Sequence, residues 1–341
     1  MPEYTLGLFA NMYPAFAGDY RGIFIHQMVR DLENRGITVK KAVKTSSSVS
    51  GYIPFYWQSL FLARSSLDIL QAEYIPHSSI IPAFLKKDGP PLVLKFHGDD
   101  ARVYPFKNRF NLALTRSMLR RADHVITASG EIKQILTRIG GNPDRITALH
   151  TGVDTEFFFP GKKDESREQL GLLESGTIFV FVGRLHPGKG IAEILQVARA
   201  CPDFLFVLIG PGNVPDHPDN CVFTGVLPPE SVRVWLHAAD CFILPTHTEA
   251  VPTSVMEAFA CGVPAITTDV GGCPEIVETG VNGLMVPVKD IRALQEAVRW
   301  MGTHAEERVE MGKKARLTAT EHYDHTILIE QLIMIHRSLM T

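Results

Sequence analysis

The sequence predicts an α/β protein made of two doubly wound halves. Short β-rich runs alternate with amphipathic helical stretches along the whole chain, which is the pattern of parallel sheets covered by helices on both faces. A length of 341 residues suffices for two such domains, and 45% hydrophobic with 21% charged residues is the composition of a well-packed globular protein. No repeat of solenoid period is visible, so the two-fold character lies in the architecture and not in the letters.

The first unit opens with a strand at Tyr4–Ala10, a loop at Asn11–Arg21 containing Gly18, and a helix from Gly22 to Asn34. Phe24, Met28 and Leu32 recur every four residues along that helix, and Gly36 supplies its stop. Further strands are expected at Pro91–Phe96 and His124–Ala128, before a loop around His150–Asp154. After the polar stretch Gly161–Glu168 a second series begins, with strands near Thr177–Val182, Phe204–Ile209, Cys241–Leu244 and Ala265–Thr268. We place the boundary near Phe157–Pro160, which gives domains over 1–157 and 158–325. The segment 326–341 is a C-terminal helix; pattern alone does not say which domain it covers, and packing back on the first is one expectation.

Composition narrows the function classes. Five cysteines, Cys201, Cys221, Cys241, Cys261 and Cys273, lie in the second half without C-x-x-C pairing, so neither a disulfide framework nor a zinc site is expected and a reducing cytoplasm fits. No stretch reaches the run of apolar residues that a membrane helix needs, and Met1–Met12 does not read as a secretion leader. Residues 1–150 hold 19 Lys+Arg against 12 Asp+Glu and the remainder 15 against 25, so the halves stand at +7 and −10. That split asks what anionic species the first half meets, although ordinary scatter on solvated faces gives the same count. A net charge of −3 and the lack of an aromatic-basic module speak against nucleic acid.

The most informative stretch runs from the apolar strand Phe179–Val182 into Gly183-Arg184-Leu-His-Pro-Gly188-Lys189-Gly190, ahead of a helix at Ile191–Ala200. Backbone amides, a helix N-terminus, one guanidinium and one ammonium meet there at the carboxyl end of a strand, which makes an anion site suited to a diphosphate. Arginine grips two phosphate oxygens in fixed geometry while lysine supplies a mobile point charge. A tight turn with solvated cations is the competing reading. The stretch is neither a dinucleotide fingerprint nor a P-loop, since Gly188-Lys189 is followed by Gly190.

A second stretch, Leu244 to Pro264, carries Glu249 and Glu257 around the start of a helix. Carboxylates there can accept hydrogen bonds from sugar and ribose hydroxyls, and the amides of Thr253, Ser254 and Val255 can meet a phosphate. Two structural readings stand beside this one: Ser254-x-x-Glu257 is a capping-box spacing that would place Glu257 in the first turn, and Glu249 can be a surface loop acid. His97 follows the strand Val93–Phe96, and so falls at a carboxyl edge where ligands gather. The neighbouring Asp99-Asp100 leaves a metal pair open.

Taken in order, these residues resemble the retaining, family-4 glycosyltransferases of the GT-B fold, in which two Rossmann-like domains with parallel sheets face a central cleft. That family's G-R-L-x-x-x-K-G, E-x7-E and G-G-x-x-E patterns match Gly183–Gly190, Glu249–Glu257 and Gly271–Glu275; His97–Asp100 is similar to its H-G-x-D, and Thr151–Asp154 to its N-G-V-D. The resemblance implies a catalytic set of His97, Arg184, Lys189 and Glu249. Arg184 and Lys189 would bind the donor diphosphate, helped by Gly183 and by the Gly22 amide of the first domain, Glu249 the transferred sugar, and Glu257 the ribose. Base contacts are expected near Val226–Leu227, and Asp100, Gly152 and Asp154 belong to the acceptor and hinge region. It further implies a UDP-, GDP- or ADP-sugar co-substrate, a sugar or lipid-linked acceptor in glycan or glycolipid assembly, retention without a nucleophile, and no required metal. Two departures are Ala250-Val251-Pro252 in place of a glycine-rich loop, where Pro252 has no N–H to offer, and Thr151 in place of asparagine. A GT-B epimerase, a phosphorylase and a non-catalytic nucleotide-sugar binder remain alternatives. The aromatic stretch Gly51–Leu62 in the basic half is open to two readings, peripheral contact with the inner face of a membrane or core packing.

Overall fold

A computed structural model describes residues 3–16, 21–85, 89–172, 176–214 and 216–340; Gly18 of the first loop lies outside them. The chain divides into two compact units, one made of Met1–Thr151 with Thr326–Thr341, the other of Gly152–His325. The division thus falls ahead of the expected boundary at 157. The reason is that Val153 and Phe158 already belong to the second core, and the Val153 N–H donates to the Tyr323 carbonyl at 2.8 Å.

The first unit carries six strands: β1 (Thr5–Ala10), β2 (Thr38–Val43), β3 (Ile69–Glu73), β4 (Leu92–Phe96), β5 (His124–Thr127) and β6 (Ile146–Ala148). They pair in parallel in the order β2-β1-β3-β4-β5-β6. The second unit repeats the design with β7 (Ile178–Val182), β8 (Leu205–Ile209), β9 (Cys221–Gly225), β10 (Cys241–Leu244), β11 (Ala265–Thr268) and β12 (Gly283–Val286), in the order β12-β11-β10-β7-β8-β9. Central strands such as β3 and β4 are buried at every residue, as expected when helices cover both faces. Each order reverses once, between β1 and β3 and between β7 and β10, and ligands in open α/β sheets gather outside the carboxyl ends of strands at such a reversal.

Helix Ile23–Asn34 buries Ile25, Met28, Val29 and Leu32, while helix His325–Met340 buries Leu328, Ile329, Leu332 and Ile333 in the same core as β1. His336 is fully buried there, between the Tyr4 hydroxyl (2.8 Å) and Gln71 Oε1 (2.7 Å). Burial disfavours its imidazolium and pushes its pKa down to about 3, from an ordinary 6.5. In the second unit the buried Asp240 accepts from Lys163 (2.9 Å), Arg167 (2.6 Å), Arg308 (3.1 Å) and the Ile178 amide (2.8 Å). Burial opposes that charge, but Lys163, the Ile178 amide and Arg308 hold the carboxyl below its ordinary range, so one carboxylate fastens β7 and two helices to the start of β10.

The His336 environment predicts an acid dependence. The unfolded chain binds a proton at this position below about pH 6.5 and the folded chain does not until about pH 3, so its contribution is complete above pH 6.5 and is lost as pH falls. The slope is at most about 1.4 kcal/mol per pH unit. Denaturant titrations from pH 7 to 4 should show His336→Gln losing about one proton's worth of that slope.

Candidate active site

The loop after β7 and the loop after β10 flank the reversal in the second sheet, and the structure joins them closely. The His247 N–H (2.9 Å) and the Thr246 hydroxyl (3.1 Å) both donate to the Gly188 carbonyl. Gly190 sits at φ 74°, and a Cβ there would strike the Pro245 carbonyl, so only glycine allows the contact at the start of helix Ile191–Ala200. Gly183 donates its N–H to the Ile209 carbonyl at 2.9 Å, and the loop after β8 packs so tightly that a Cβ on Gly210 would strike the Gly183 carbonyl. Gly210 and Gly212, which sequence reasoning did not single out, are therefore part of this floor; the Gly-Pro-Gly run ending an apolar strand was the signal available.

Lys189 and Glu249 come together in an ion pair, Nζ to Oε2 at 2.5 Å, while the second Glu249 oxygen accepts from the Ala250 amide at 3.1 Å. Arg184 is exposed and has no ion-pair partner among the described residues. The loops thus present one unengaged guanidinium, one ammonium held by a carboxylate, and the first amides of helix Ile191–Ala200, which lack intrahelical partners by geometry. His247 Nε2 meets Glu193 Oε1 at 2.7 Å and pins the same loop from below. Leu227 lies just past β9, half-buried against the core beside the exposed Val226.

The capping-box expectation is corrected. The helix runs Thr253–Ala260 with Pro252 as its N-cap and no side-chain cap, so it starts before Ser254, and Glu257 lies beyond the first turn. The Thr253 amide donates to the Val251 carbonyl and the Val255 amide to that of Pro252, each at 3.0 Å. Of the three amides expected to meet a phosphate, only that of Ser254 is outside these turns. Burial pushes the Glu257 carboxyl up to about 7.

In the first unit His97 stands at the carboxyl end of β4. Its Nε2 meets Glu73 Oε2 at 2.6 Å, and its ring packs against Tyr74 (centroids 4.4 Å) and Phe24 (4.9 Å). Burial opposes the charge of Glu73, but Lys95, His97 and Gln71 outweigh it and hold that carboxyl below its ordinary range. Glu73 was missed by sequence reasoning; a carboxylate inside an apolar run was the signal. Asp100 accepts from the amides of His97 (3.0 Å), Gly98 (2.8 Å) and Ile75 (3.2 Å), so its oxygens shape the loop. Among the described residues no His/Cys/Asp/Glu cluster could hold a metal ion. Gly22 precedes its helix at φ 64°, and a Cβ there would clash with the Met12 carbonyl oxygen at 2.6 Å. Gly152, at φ 83°, stands where the second unit begins, and Asp154 closes a local turn on the amides of Glu156 and Phe157.

Two doubly wound units in one chain, the second with an anion-ready loop at its reversal, fit the GT-B class, and comparison with known proteins agrees. The family model "Glycosyl transferases group 1" matches residues 162–318 and "Glycosyltransferase Family 4" matches residues 22–157, so the chain belongs to these glycosyltransferases. Bacillus subtilis TuaC, named for teichuronic acid biosynthesis, is 31% identical over 68% of this chain and 60% of its own; the chain spans less than two thirds of the curated relatives it matches first. Among solved structures, sucrose-phosphate synthase from Thermosynechococcus elongatus aligns with a TM-score of 0.82 at 19% identity, over 98% of this chain and 99% of that one. Anabaena HepE in complex with UDP aligns with a TM-score of 0.80 at 18% identity, over 98% and 100%.

The raised Glu257 carboxyl has a measurable consequence. The folded chain keeps this proton between about pH 4.5 and 7 while the unfolded chain releases it, so this group's contribution is complete below pH 4.5 and lost as pH rises through 7. Glu257→Gln should remove that component in denaturant titrations across the same window.

Proposed function

We propose that this chain transfers a hexose-type sugar from a nucleotide-diphosphate sugar to an acceptor hydroxyl with retention of anomeric configuration. The observation that carries this reading is the convergence of Arg184, Lys189 and Glu249 on two loops stitched together at the reversal of the second sheet. Cleavage at the anomeric carbon builds negative charge on the diphosphate, and preorganised cations and amides aimed at that charge are the largest source of acceleration. Arg184, Lys189, Gly183 and the Ser254 amide take this role. On donor binding Lys189 exchanges its carboxylate partner for phosphate, which leaves Glu249 to accept from the sugar hydroxyls. Glu257 takes the ribose, and backbone near Leu227 the base. His97, oriented by Glu73, serves the transfer step, and Gly152 and Asp154 lie where the second unit begins.

Solved structures of the same fold hold UDP, UDP-glucose or ADP, which supports a nucleotide-sugar co-substrate, and UDP-, GDP- and ADP-sugars are the donors to test. TuaC's name supports a place in cell-envelope polysaccharide assembly. We read the reaction as metal-independent, with the leaving phosphate assisting front-face attack.

Assays with a nucleotide-sugar panel test this. Arg184→Ala/Lys189→Ala should abolish the rise in melting temperature given by donor, whereas His97→Ala should keep that rise and lose transfer by about a hundredfold or more. Transfer should survive excess chelator, and NMR of the product should show the donor's anomeric configuration. Inversion, or a new nucleotide sugar formed without acceptor, would sink the assignment in favour of another mechanism or an epimerase.

Helix Tyr52–Leu62 buries Phe55 but leaves Ile53, Trp57 and Phe61 about 60% or more exposed along one face. Core packing therefore explains only part of this stretch. No described helix is long and apolar enough to cross a membrane. We read the face as a peripheral contact with the cytoplasmic side of a membrane, where the acceptor would be lipid-linked. The full chain should co-sediment with anionic vesicles at low salt, and Trp57→Ser/Phe61→Ser should not.

A further inference from the structure

We infer that the first unit binds an acceptor bearing an anionic group, a phosphate or carboxylate on a hydroxylated ring or polyol, in a cavity beside the reversal of its sheet. This rests on the transfer reading above. The cavity has a volume of about 490 Å³, and Lys44, Arg21, Lys107, Tyr52, His77 and Tyr104 line it. Lys44 carries the inference. It lies just past β2, it is only 8% exposed, and its ammonium has no carboxylate within ion-pair distance among the described residues. Its Nζ donates to the Ser46 carbonyl and sits 4.8 Å from the centre of the Tyr52 ring, and these are its polar and ring contacts among the described residues.

A nearly buried ammonium with one carbonyl and one ring face is under-compensated, because burying a charge is costly unless an opposite charge or several hydrogen bonds replace its water. The two carboxylates on the cavity wall do not supply that charge. Asp99 is exposed, and the Asp100 oxygens are spent on the amides of His97, Gly98 and Ile75. Lys107, itself exposed, adds a second positive group at the same wall. A neutral sugar would leave Lys44 as it is, whereas a phosphate or carboxylate would complete a charge-assisted pair. Tyrosine rings and hydroxyls around it suit the apolar faces and hydroxyl edges of a sugar or cyclitol. The basic balance of the first half of the chain, +7 over residues 1–150, points to the same class of ligand.

The experiment measures binding of a hexose 6-phosphate, a hexuronate and the neutral methyl hexoside to the full chain by calorimetry. A second arm uses phosphatidylcholine vesicles with and without phosphatidylinositol, to tell a free anion from a lipid headgroup. The anionic ligands, in one arm or the other, should bind at least about tenfold more tightly than their neutral counterparts, and Lys44→Met should remove that preference. Lys44→Met should also melt no lower than the natural chain, since burying an under-compensated ammonium costs the unliganded fold about as much as its carbonyl and ring contacts return; a fall in melting temperature assigns Lys44 to structure and overturns the inference. Failure of that variant to fold likewise overturns the inference, and Lys107→Ala on the exposed wall, read in parallel, should weaken the preference. Equal binding of charged and neutral ligands, or a preference that survives both substitutions, would also overturn it. If the donor still raises the melting temperature while no anionic ligand binds, this inference fails and the transfer reading stands. If no nucleotide sugar binds either, the transfer reading itself fails.

Discussion

In both units the helix that follows the first strand begins at a glycine held in the left-handed region, Gly22 at φ 64° and Gly190 at φ 74°. A side chain at either would meet a backbone carbonyl, that of Met12 or that of Pro245. Left-handed backbone is open to glycine without penalty and strained for other residues, so this close approach is a constraint on the chain as much as on the fold. In the second unit it sets the distance between the loops after β7 and β10, and with it the positions from which Lys189 and Glu249 reach each other. The two-fold character absent from the letters reappears here as a repeated backbone geometry.

Charges at the candidate sites are mostly held in internal pairs: Lys189 with Glu249, His97 with Glu73, His247 with Glu193. Such pairing keeps polar side chains in fixed rotamers while the site is empty, and makes ligand binding an exchange of partners rather than a capture of free charges. Among the described residues, Arg184 and Lys44 are outside this scheme. One is exposed and the other is nearly buried, and that difference in hydration makes Lys44 the more informative of the two.

The fold was legible where burial is complete. Strands β1, β4, β5, β7, β8, β10 and β11 read as apolar runs to within a residue of their ends, and the anion loop followed directly from one of them. Four of the five unread strands, β2, β6, β9 and β12, are the edges of the two sheets, where half-burial breaks the apolar run. The fifth, β3, is central but carries Gln71 and Glu73, whose polarity hid a fully buried strand. Those letters were a site signal in a segment to which sequence reasoning assigned no element. The start of helix Thr253–Ala260 was misplaced for a related reason: the Ser254–Glu257 spacing resembles a cap, while Pro252, with its fixed φ, already begins the helix.

The first unit is discontinuous in sequence, because Leu328, Ile329, Leu332 and Ile333 complete a core begun by residues more than 300 positions earlier. A ribosome therefore releases every residue of the second unit before the first can close. Until then the apolar faces of β1 and of helix Ile23–Asn34 lack their last cover, and the Tyr4 hydroxyl and Gln71 amide lack His336. Synthesis thus favours a second unit that folds early and a first unit that waits, exposed to chaperones or to aggregation, for the final helix.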